Sequence, residues 1–523
     1  MITLLDYGAG NVRSVVNAIE RLGETVKIVA TSEDILTAEK LVFPGVGAFG
    51  SMMQILNRKG YVAPLKSYIQ SNRPFFGICL GLQALFENSE EAPGFNGLGI
   101  FPGSVVRFEL DLSVPHIGWN GVDIIQPSRV FYGLHGNEKF YFVHSYHVVP
   151  KDDSVVLTTT DYGNRFVSSI QKGNIIASQF HPEKSGRNGL RVLQNFIEST
   201  SPIEVKVRPA DRTRLAKRII ACLDVRSNDQ GDLVVTKGDQ YDVRENGAVR
   251  NLGKPVDLAR RYYEEGADEI TFLNITGFRD FPLEDMPMLE VLKQTSLNVF
   301  VPLTIGGGIR NYTDTNGRQY TALEVAAEYF RSGADKISIG SEAVMIAEDY
   351  LKKGEKSGQS AIEEIARVYG NQAVVISIDP RRVYVQSPDD TIHTVIETPT
   401  PGPKGERFCW YQCTVNGGRE GRDIDAVTLA RICEKLGAGE ILLNCIDRDG
   451  TNLGFDIELI NVVKNSISIP VIASSGAGCT EHFYQVFTET QAESALAAGI
   501  FHRQEISIAE VKNSIKDKLE IRR

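Results

Sequence analysis

Residues 299–308 read Val-Phe-Val-Pro-Leu-Thr-Ile-Gly-Gly-Gly, and residues 469–478 read Ile-Pro-Val-Ile-Ala-Ser-Ser-Gly-Ala-Gly. Each is a short apolar run that ends in a cluster of small residues, the pattern of a buried strand running into a tight turn. Two further landmarks keep step with this pair. Gly266-Ala-Asp-Glu-Ile270 returns as Gly437-Ala-Gly-Glu-Ile441, and Asp224, at the end of one apolar run, returns as Asp379 at the end of another. The offsets agree well enough to mark one unit used twice. Outward from these anchors the same alternation of strand and helix patterns continues. RIIACLD, EITFLNIT, VFVPLTIGG, KISIGS, AVVISID, EILLNCID, IPVIASSG and SALAAGIF are strand candidates, mostly separated by helical patterns. Eight β/α units over residues 215–523 predict a (β/α)₈ barrel of two half-barrels, with a strand-and-hairpin insertion at 383–418.

Residues 1–200 also alternate β-rich runs (ITLLDYG, VKIVA, KLVFPGVG) with helical patterns such as VRSVVNAIERLG, which predicts an open α/β sheet. Between the two parts, residues 201–214 carry two prolines and several charges without a period, and read as a linker. A length of 523 residues excludes a single ordinary domain, and 42% hydrophobic with 23% charged residues excludes general disorder. No apolar run approaches the ~20 residues that cross a bilayer, and residues 1–10 read as a strand and turn rather than a signal peptide. A net charge of −10 argues against nucleic acid as the main partner but leaves small anions open. The seven cysteines are scattered, with no C-x-x-C pair, so neither a disulfide framework nor a zinc ribbon is indicated. The expectation is a reduced, intracellular enzyme with no metal and no cofactor.

Two constellations carry chemistry. In Pro74-Phe-Phe-Gly-Ile-Cys-Leu-Gly-Leu-Gln83 an apolar strand runs into Cys79, with Gly77 and Gly81 two residues either side. Small residues there permit the sharp strand-to-helix turn of a nucleophile elbow, which presents Sγ at a helix N-terminus. A lone cysteine is usually a buried structural one. Here a second strand, Ile176–Phe180, leads into His181-Pro-Glu183, so that His181 can serve as base and Glu183 as its orienting acid. The Gly-rich turn Gly45-Val46-Gly47 supplies candidate backbone donors for an oxyanion.

The second constellation is in the barrel, where catalytic groups gather at the C-terminal ends of strands and phosphate often binds after strands 7 and 8. The seventh strand ends in Ser475-Gly476 and the eighth in Ala498-Gly499, while the repeat supplies Gly307-Gly308 after the third and Gly340-Ser341 after the fourth. Any one such loop is as well explained as a structural turn. Two matched sets predict a ligand with a phosphate at each end. Asp224 and Asp379 then fall on opposite sides of the mouth, suited to general acid–base work on the ligand's middle. Lys237, Asp449 and Gly450 are further binding candidates. At the opposite end of the barrel, Arg218, Glu269, Lys336 and Glu440 each begin a strand with a charge, and two bases with two acids can close into a ring across the axis.

PGVG, GICLGLQ and QFHPEKSG resemble the class I (triad) glutamine amidotransferases, and YFVHSY and PHIGWN resemble their histidine-biosynthesis branch. RIIACLDV, VVTKG, TIGGGI, GADKISIG, GAGEILL, IDRDG and VIASSGAG resemble the cyclase of histidine biosynthesis along nearly the whole barrel. Together they are similar to the bifunctional imidazole glycerol phosphate synthases of plants and fungi. The fold class implied is α/β: an N-terminal open-sheet class I glutamine amidotransferase domain (1–200) plus a C-terminal (β/α)₈ TIM barrel (215–523). The resemblance further implies attack by Cys79 on the glutamine amide, with Gln83 helping to hold the substrate glutamine. It also implies a bisphosphorylated ribulosyl aminoimidazole carboxamide nucleotide (PRFAR) as second substrate, and docking of the glutaminase on the charged ring, which then gates ammonia. The expected partners are these small molecules, without nucleic acid or membrane, for a monomer whose two domains meet internally, in the cytoplasm or, for a mature plant chain, the plastid. Asn274, Gly340-Ser341, Ser475 and Gly499 depart from the bacterial barrel pattern, which leaves open which side chains touch phosphate. Two other readings compete. An isomerase-type barrel of the same pathway would have no use for ammonia, and a glutamine-sensing regulatory protein would be expected to have lost part of the triad.

Overall fold

In a computed structural model the described residues are 1–8, 10–198, 214–228, 232–236, 244–245, 248–249, 251–275, 287–313 and 317–523. Lys237 and all of the expected linker except Arg214 lie outside them.

The N-terminal half is built on an eleven-stranded mixed sheet. Its parallel part consists of β1 (Ile2–Leu4), β2 (Val26–Ile28), β3 (Leu41–Gly45), β4 (Phe75–Cys79) and β5 (Ile175–Ser178), in the order β2-β1-β3-β4-β5. Strands buried on both faces are apolar throughout rather than alternating. In β3 and β4 every residue is buried, with Leu41, Phe43 and Phe75 in one core cluster and Val42, Phe76 and Ile78 in another. The sequence pattern did not give the other part. Beyond β5 the sheet continues through antiparallel strands, among them Asn164–Lys172 and Tyr146–Pro150, and a separate antiparallel ribbon pairs His116–Gly121 with Lys139–His144.

The C-terminal half is a closed barrel of eight parallel strands: β6 (Arg218–Ser227), β7 (Glu269–Asn274), β8 (Leu303–Gly306), β9 (Lys336–Ile339), β10 (Val374–Ile378), β11 (Glu440–Asn444), β12 (Val471–Ser474) and β13 (Ser494–Ala497). Pairing of Arg218–Ala221 with Ser494–Ala497 closes it. All eight fall where the apolar runs predict them. Alternation divides each strand between two sides. Ile220, Cys222, Val375, Leu442, Ile472 and Leu496 form a cluster of their own, while Ile219, Ala221 and Leu223 join the larger core that includes the surrounding helices. The insertion is larger than 383–418. Strands Pro380–Val385, Val395–Glu397, Phe408–Val415 and Glu420–Asp425 form a four-stranded sheet whose tip reaches the barrel mouth, where Asn416 N–H donates to Ser341 Oγ at 3.0 Å.

The first half docks on the strand-N-terminal end of the barrel. The Trp119 indole donates to the Asp268 carbonyl (3.0 Å), and Gly186 N–H to that of Phe300 (3.0 Å). Val114 N–H donates to the Ser468 carbonyl (3.1 Å), and Asp335 takes a hydrogen bond from Asn11 and an ion pair from Lys184. Asp268, Phe300, Asp335 and Ser468 all lie just before barrel strands.

Candidate active sites

Cys79 ends β4 with φ 53° and ψ −104°, a left-handed backbone that a non-glycine residue adopts only under tertiary constraint. Its glycines supply the room. A Cβ on Gly81 would stand 2.1 Å from the Phe43 carbonyl oxygen, and one on Gly45 would stand 2.3 Å from Gly81 N. A Cβ on Gly77 would stand 2.7 Å from the Gly81 carbonyl oxygen, so the spacing G-x-C-x-G is a packing requirement within the elbow and between the elbow and β3. His181 lies three residues beyond β5, and its Nδ1 is 2.8 Å from Glu183 Oε1. This leaves Nε2, which no other described group satisfies, for the Cys79 sulfur. Burial alone would depress the His181 pKa, but the Glu183 carboxylate and the Cys79 sulfur outweigh it and hold the ring well above its usual value.

Gln83 does not stand alone. Its Nε2 donates to the Tyr146 carbonyl (3.0 Å) and to Gln179 Oε1 (3.1 Å), and Gln179 Nε2 donates to Cys79 Sγ at 3.4 Å. Sequence reasoning missed Gln179, although it lies inside the QFHPE motif. At the expected oxyanion turn, Val46 N–H donates to the Tyr7 hydroxyl (3.0 Å), which in turn donates to the Val46 carbonyl (2.5 Å). The amide is thus engaged by a residue that the turn's own sequence does not reveal. Gly47 of this turn adopts a positive φ of 114°.

At the other end of the barrel, one cavity of about 940 Å³ is lined by Asp224, Asp379 and every expected phosphate-loop residue within the described chain: Gly307, Gly308, Gly340, Ser341, Asp449, Gly450, Ser475, Gly476, Ala498 and Gly499. Close packing again explains the glycines. A Cβ on Gly307 would lie 2.3 Å from the Asn274 carbonyl oxygen, and one on Gly476 would lie 2.2 Å from that of Gly454. Ser475 keeps the left-handed backbone of its loop, φ 74°, despite its side chain. Asp379 accepts from Asn444 Nδ2 at 2.8 Å, yet loss of water at this depth still pushes its pKa up, with the Asp449 charge adding to the effect. A carboxyl raised toward neutrality is better matched to proton transfer. Four arginines that the sequence reading left out, Arg226, Arg310, Arg419 and Arg503, also line the cavity. Arg503 occupies the place of a side chain at 499, its Nη1 standing 2.8 Å from where a Cβ would be. The pair Gly499 and Arg503, four residues apart, was the available signal.

The four strand-starting charges do form a ring. Arg218 Nη1 is 2.9 Å from Glu269 Oε2, Arg218 Nη2 bonds Glu440, and Lys336 Nζ lies 2.6 Å from an oxygen of each carboxylate. All four are at most 1% exposed. Tyr141 from the docked half brings a buried hydroxyl, without a hydrogen-bond partner among the described residues, into the field of Glu269, Arg218 and Glu440, where burial holds its pKa well above the usual value.

Residues 3–199 match the family described as class-I glutamine amidotransferase, and residues 218–507 match that described as histidine biosynthesis protein. The chain is 59% identical over 530 residues to the chloroplastic imidazole glycerol phosphate synthase of Arabidopsis thaliana, covering 100% of this chain and 89% of that protein. It is 55% identical to the imidazole glycerol phosphate synthase of Schizosaccharomyces pombe, covering 98% of each. The corresponding protein of Emericella nidulans is 54% identical, over 99% of this chain and 98% of its own length.

Proposed function

We propose a division of labour from one premise: this chain belongs to the imidazole glycerol phosphate synthases of histidine biosynthesis, with a glutamine amidotransferase and a cyclase in one polypeptide. In the first domain the Cys79 thiolate attacks the side-chain amide carbon of glutamine. Backbone donors of the Gly45–Gly47 turn meet the developing oxyanion, and the Val46 N–H becomes available when the Tyr7 hydroxyl releases it. His181, oriented by Glu183, gives its proton to the departing nitrogen and then takes one from the water that hydrolyses the thioester. Gln83 helps hold the substrate. The products are ammonia and glutamate.

Ammonia enters the barrel through the ring of Arg218, Glu269, Lys336 and Glu440 and travels along the axis to the opposite mouth. There the glycine loops at 307–308 and 340–341 hold one phosphate of the bisphosphorylated nucleotide. Those at 475–476 and 498–499 hold the other. Lys237, Asp449 and Gly450 complete the binding. Asp224 and Asp379 transfer the protons that accompany closure of the imidazole ring and release of the aminoimidazole carboxamide ribotide (AICAR). The single observation that carries this reading is the placement of the cysteine site over one end of the barrel and both phosphate-loop sets around the other, with the charged ring between them. We further propose that the protein acts as a monomer whose only obligatory interface is internal, in the cytoplasm, or in the plastid for a mature plant chain. Among the described residues no helix is long and apolar enough to cross a membrane.

The test separates the two sites. Cys79→Ala is expected to abolish glutamine-dependent synthesis and leave ammonia-dependent synthesis largely intact. Loss of both activities in a folded variant would refute the two-site assignment.

A further inference from the structure

Two buried histidines lie near the cysteine site and take no part in the chemistry above. His116 and His144 are 0% and 3% exposed and sit opposite one another across the antiparallel ribbon. His116 Nδ1 is 3.2 Å from His144 Nε2. A neutral imidazole has one donor and one acceptor nitrogen, and its neighbours decide which is which. His144 Nδ1 lies 2.8 Å from the Tyr146 carbonyl oxygen, which only accepts, so Nδ1 carries the proton and Nε2 is bare. His116 Nδ1 must therefore donate to it. His116 Nε2 must then accept, and Asn120 Nδ2 faces it at 3.5 Å. Burial holds both rings neutral, taking His144 down to about 3 and His116 well below its usual value, the latter with help from His144. Only one arrangement of protons satisfies the pair. Stacking of His116 on Tyr162 (3.9 Å) and Phe142 (5.0 Å) fixes its ring plane.

The pair is linked both ways, by hydrogen bonds toward the nucleophile and by its own strand toward the barrel. Toward the nucleophile, the Tyr146 carbonyl that His144 holds also accepts from Gln83, whose amide orients Gln179, whose amide donates to Cys79 Sγ. Gln179 turns its N–H toward sulfur because Gln83 occupies its carbonyl oxygen. Toward the barrel, His116 and Asn120 share one face of the strand His116–Gly121, and Trp119 is on the other face. Its indole donates to the Asp268 carbonyl, and its carbonyl accepts from Ala216 N–H at 2.8 Å.

We propose that the His116–His144 pair is a positioning unit for glutamine hydrolysis: it ties the hydrogen-bonding shell of the Cys79 sulfur to the strand that seats Trp119 on the barrel. Neither histidine touches the reacting atoms. The inference rests on Cys79 being the nucleophile, and the experiment keeps the two claims apart.

His116→Phe preserves the ring stack and leaves His144 Nε2 without a donor. His116→Asn restores an N–H near the Nδ1 position. In the full chain, with saturating bisphosphorylated nucleotide, kcat and KM for glutamine hydrolysis are measured beside ammonia-dependent synthesis and the rate of Cys79 alkylation by iodoacetamide. The Phe variant is expected to lose roughly tenfold in kcat for hydrolysis, as small misplacements at a reacting centre do. KM for glutamine is expected to change little, the alkylation rate to shift, and ammonia-dependent synthesis to stay normal. The Asn variant is expected to recover most of the loss. Trp119→Phe, which removes one N–H at the other end, should act in the same direction, and the two losses should combine less than additively because both act through the strand His116–Gly121. Should His116→Phe not fold, Trp119→Phe carries the test alone with the same readouts. Normal hydrolysis in the variants, an equal fall in ammonia-dependent turnover, or no rescue by Asn would overturn the proposal. Hydrolysis surviving in Cys79→Ala would overturn instead the assignment on which it rests.

Discussion

Replacing Lys336 by methionine keeps the length of the side chain and removes its charge. The Lys336 ammonium touches Glu269 Oε1 and Glu440 Oε2, both at 2.6 Å, and all three side chains are at most 1% exposed. After the change, among the described residues Glu269 Oε1 keeps only the Thr304 hydroxyl (2.6 Å), Glu440 Oε2 keeps no partner, and Arg218 still holds the other oxygens. Removing one member of a buried ionic cluster costs about 3–5 kcal/mol, against a total stability of about 5–15 kcal/mol. The variant is therefore expected to fold, with a melting temperature lower by on the order of 10 °C. The pH dependence has a definite sign. Burial would raise the Glu440 pKa, but Arg218 and Lys336 overcome this and hold it below the ordinary value. Its stabilising contribution is thus complete above the unfolded carboxylate pKa of about 4.3 and is lost as pH falls through the depressed folded value. The stability gap between wild type and variant should be widest near neutral pH and close below about pH 4. Function is read from stoichiometry. Glutamate and imidazole product are quantified together under saturating glutamine and nucleotide, and again with external ammonia. More than one glutamate per imidazole product, with ammonia-dependent turnover preserved, is the expected result. A ratio of one in a variant that shows the full thermal penalty would refute the gating argument and leave the ring a purely structural cluster.

Asp224→Asn and Asp379→Asn should each lower synthesis with either nitrogen source by roughly 10²–10⁴-fold while nucleotide binding, followed by titration, changes much less. Arg503→Met is expected to raise KM for the nucleotide by about tenfold, the worth of one charge-assisted hydrogen bond, and to leave KM for glutamine alone. An unchanged nucleotide KM would show that Arg503, which pairs with Glu505, plays no part in nucleotide binding. Glu183→Gln removes a charge that holds the His181 pKa up. The alkaline limb of the glutaminase pH profile should therefore move to lower pH, and an unmoved limb would show that another group sets it.

The eight barrel strands and the parallel core of the first domain were legible because strands buried on both faces appear as unbroken apolar runs. The antiparallel strands between Gly103 and Lys172 were not. Strands such as Tyr146–Pro150 are only partly buried and carry mixed patterns, and their pairing joins segments that no local signal links. The insertion boundaries slipped because Pro380 starts a new strand directly after Asp379, without a polar break. The cysteine elbow and the ring could be read because each demands particular residue types at a strand end. Tyr7 and Gln179 could not be assigned roles in this way, since their partners Val46 and Cys79 lie 39 and 100 residues away. Lys237 falls outside the described residues.

The internal repeat separates what the ring needs from what docking needs. Successive residues of a strand point to opposite sides, so a charge at the first strand position can face the barrel axis while its predecessor faces elsewhere. In Gly266-Ala-Asp-Glu and Gly437-Ala-Gly-Glu the ring residues Glu269 and Glu440 are copied, and the residue before them is not. Asp268 ties the barrel bottom together by accepting from Ile219 N–H and pairing with Lys512 and Arg522, while its carbonyl receives Trp119 and Arg522 lies 4.1 Å over the indole. Its counterpart Gly439 has no room for any side chain, since a Cβ there would stand 2.2 Å from the Asn371 carbonyl oxygen. Asp335, before the ring lysine, again accepts from the docked domain through Asn11 and Lys184. The two acids of the ring thus follow the repeat of the half-barrels while its two bases do not, since the fifth and eighth strands begin with Val374 and Ser494. Docking breaks the repeat again at the residue before each acid. The first domain is seated by residues adjacent to Glu269 and Lys336, while Glu440 has no such neighbour. A shift of the docked domain therefore acts on Glu269 and Lys336 through the residues before them and on Arg218 through Ala216, whereas it reaches Glu440 through its ion pairs with Arg218 and Lys336 and through the field of Tyr141.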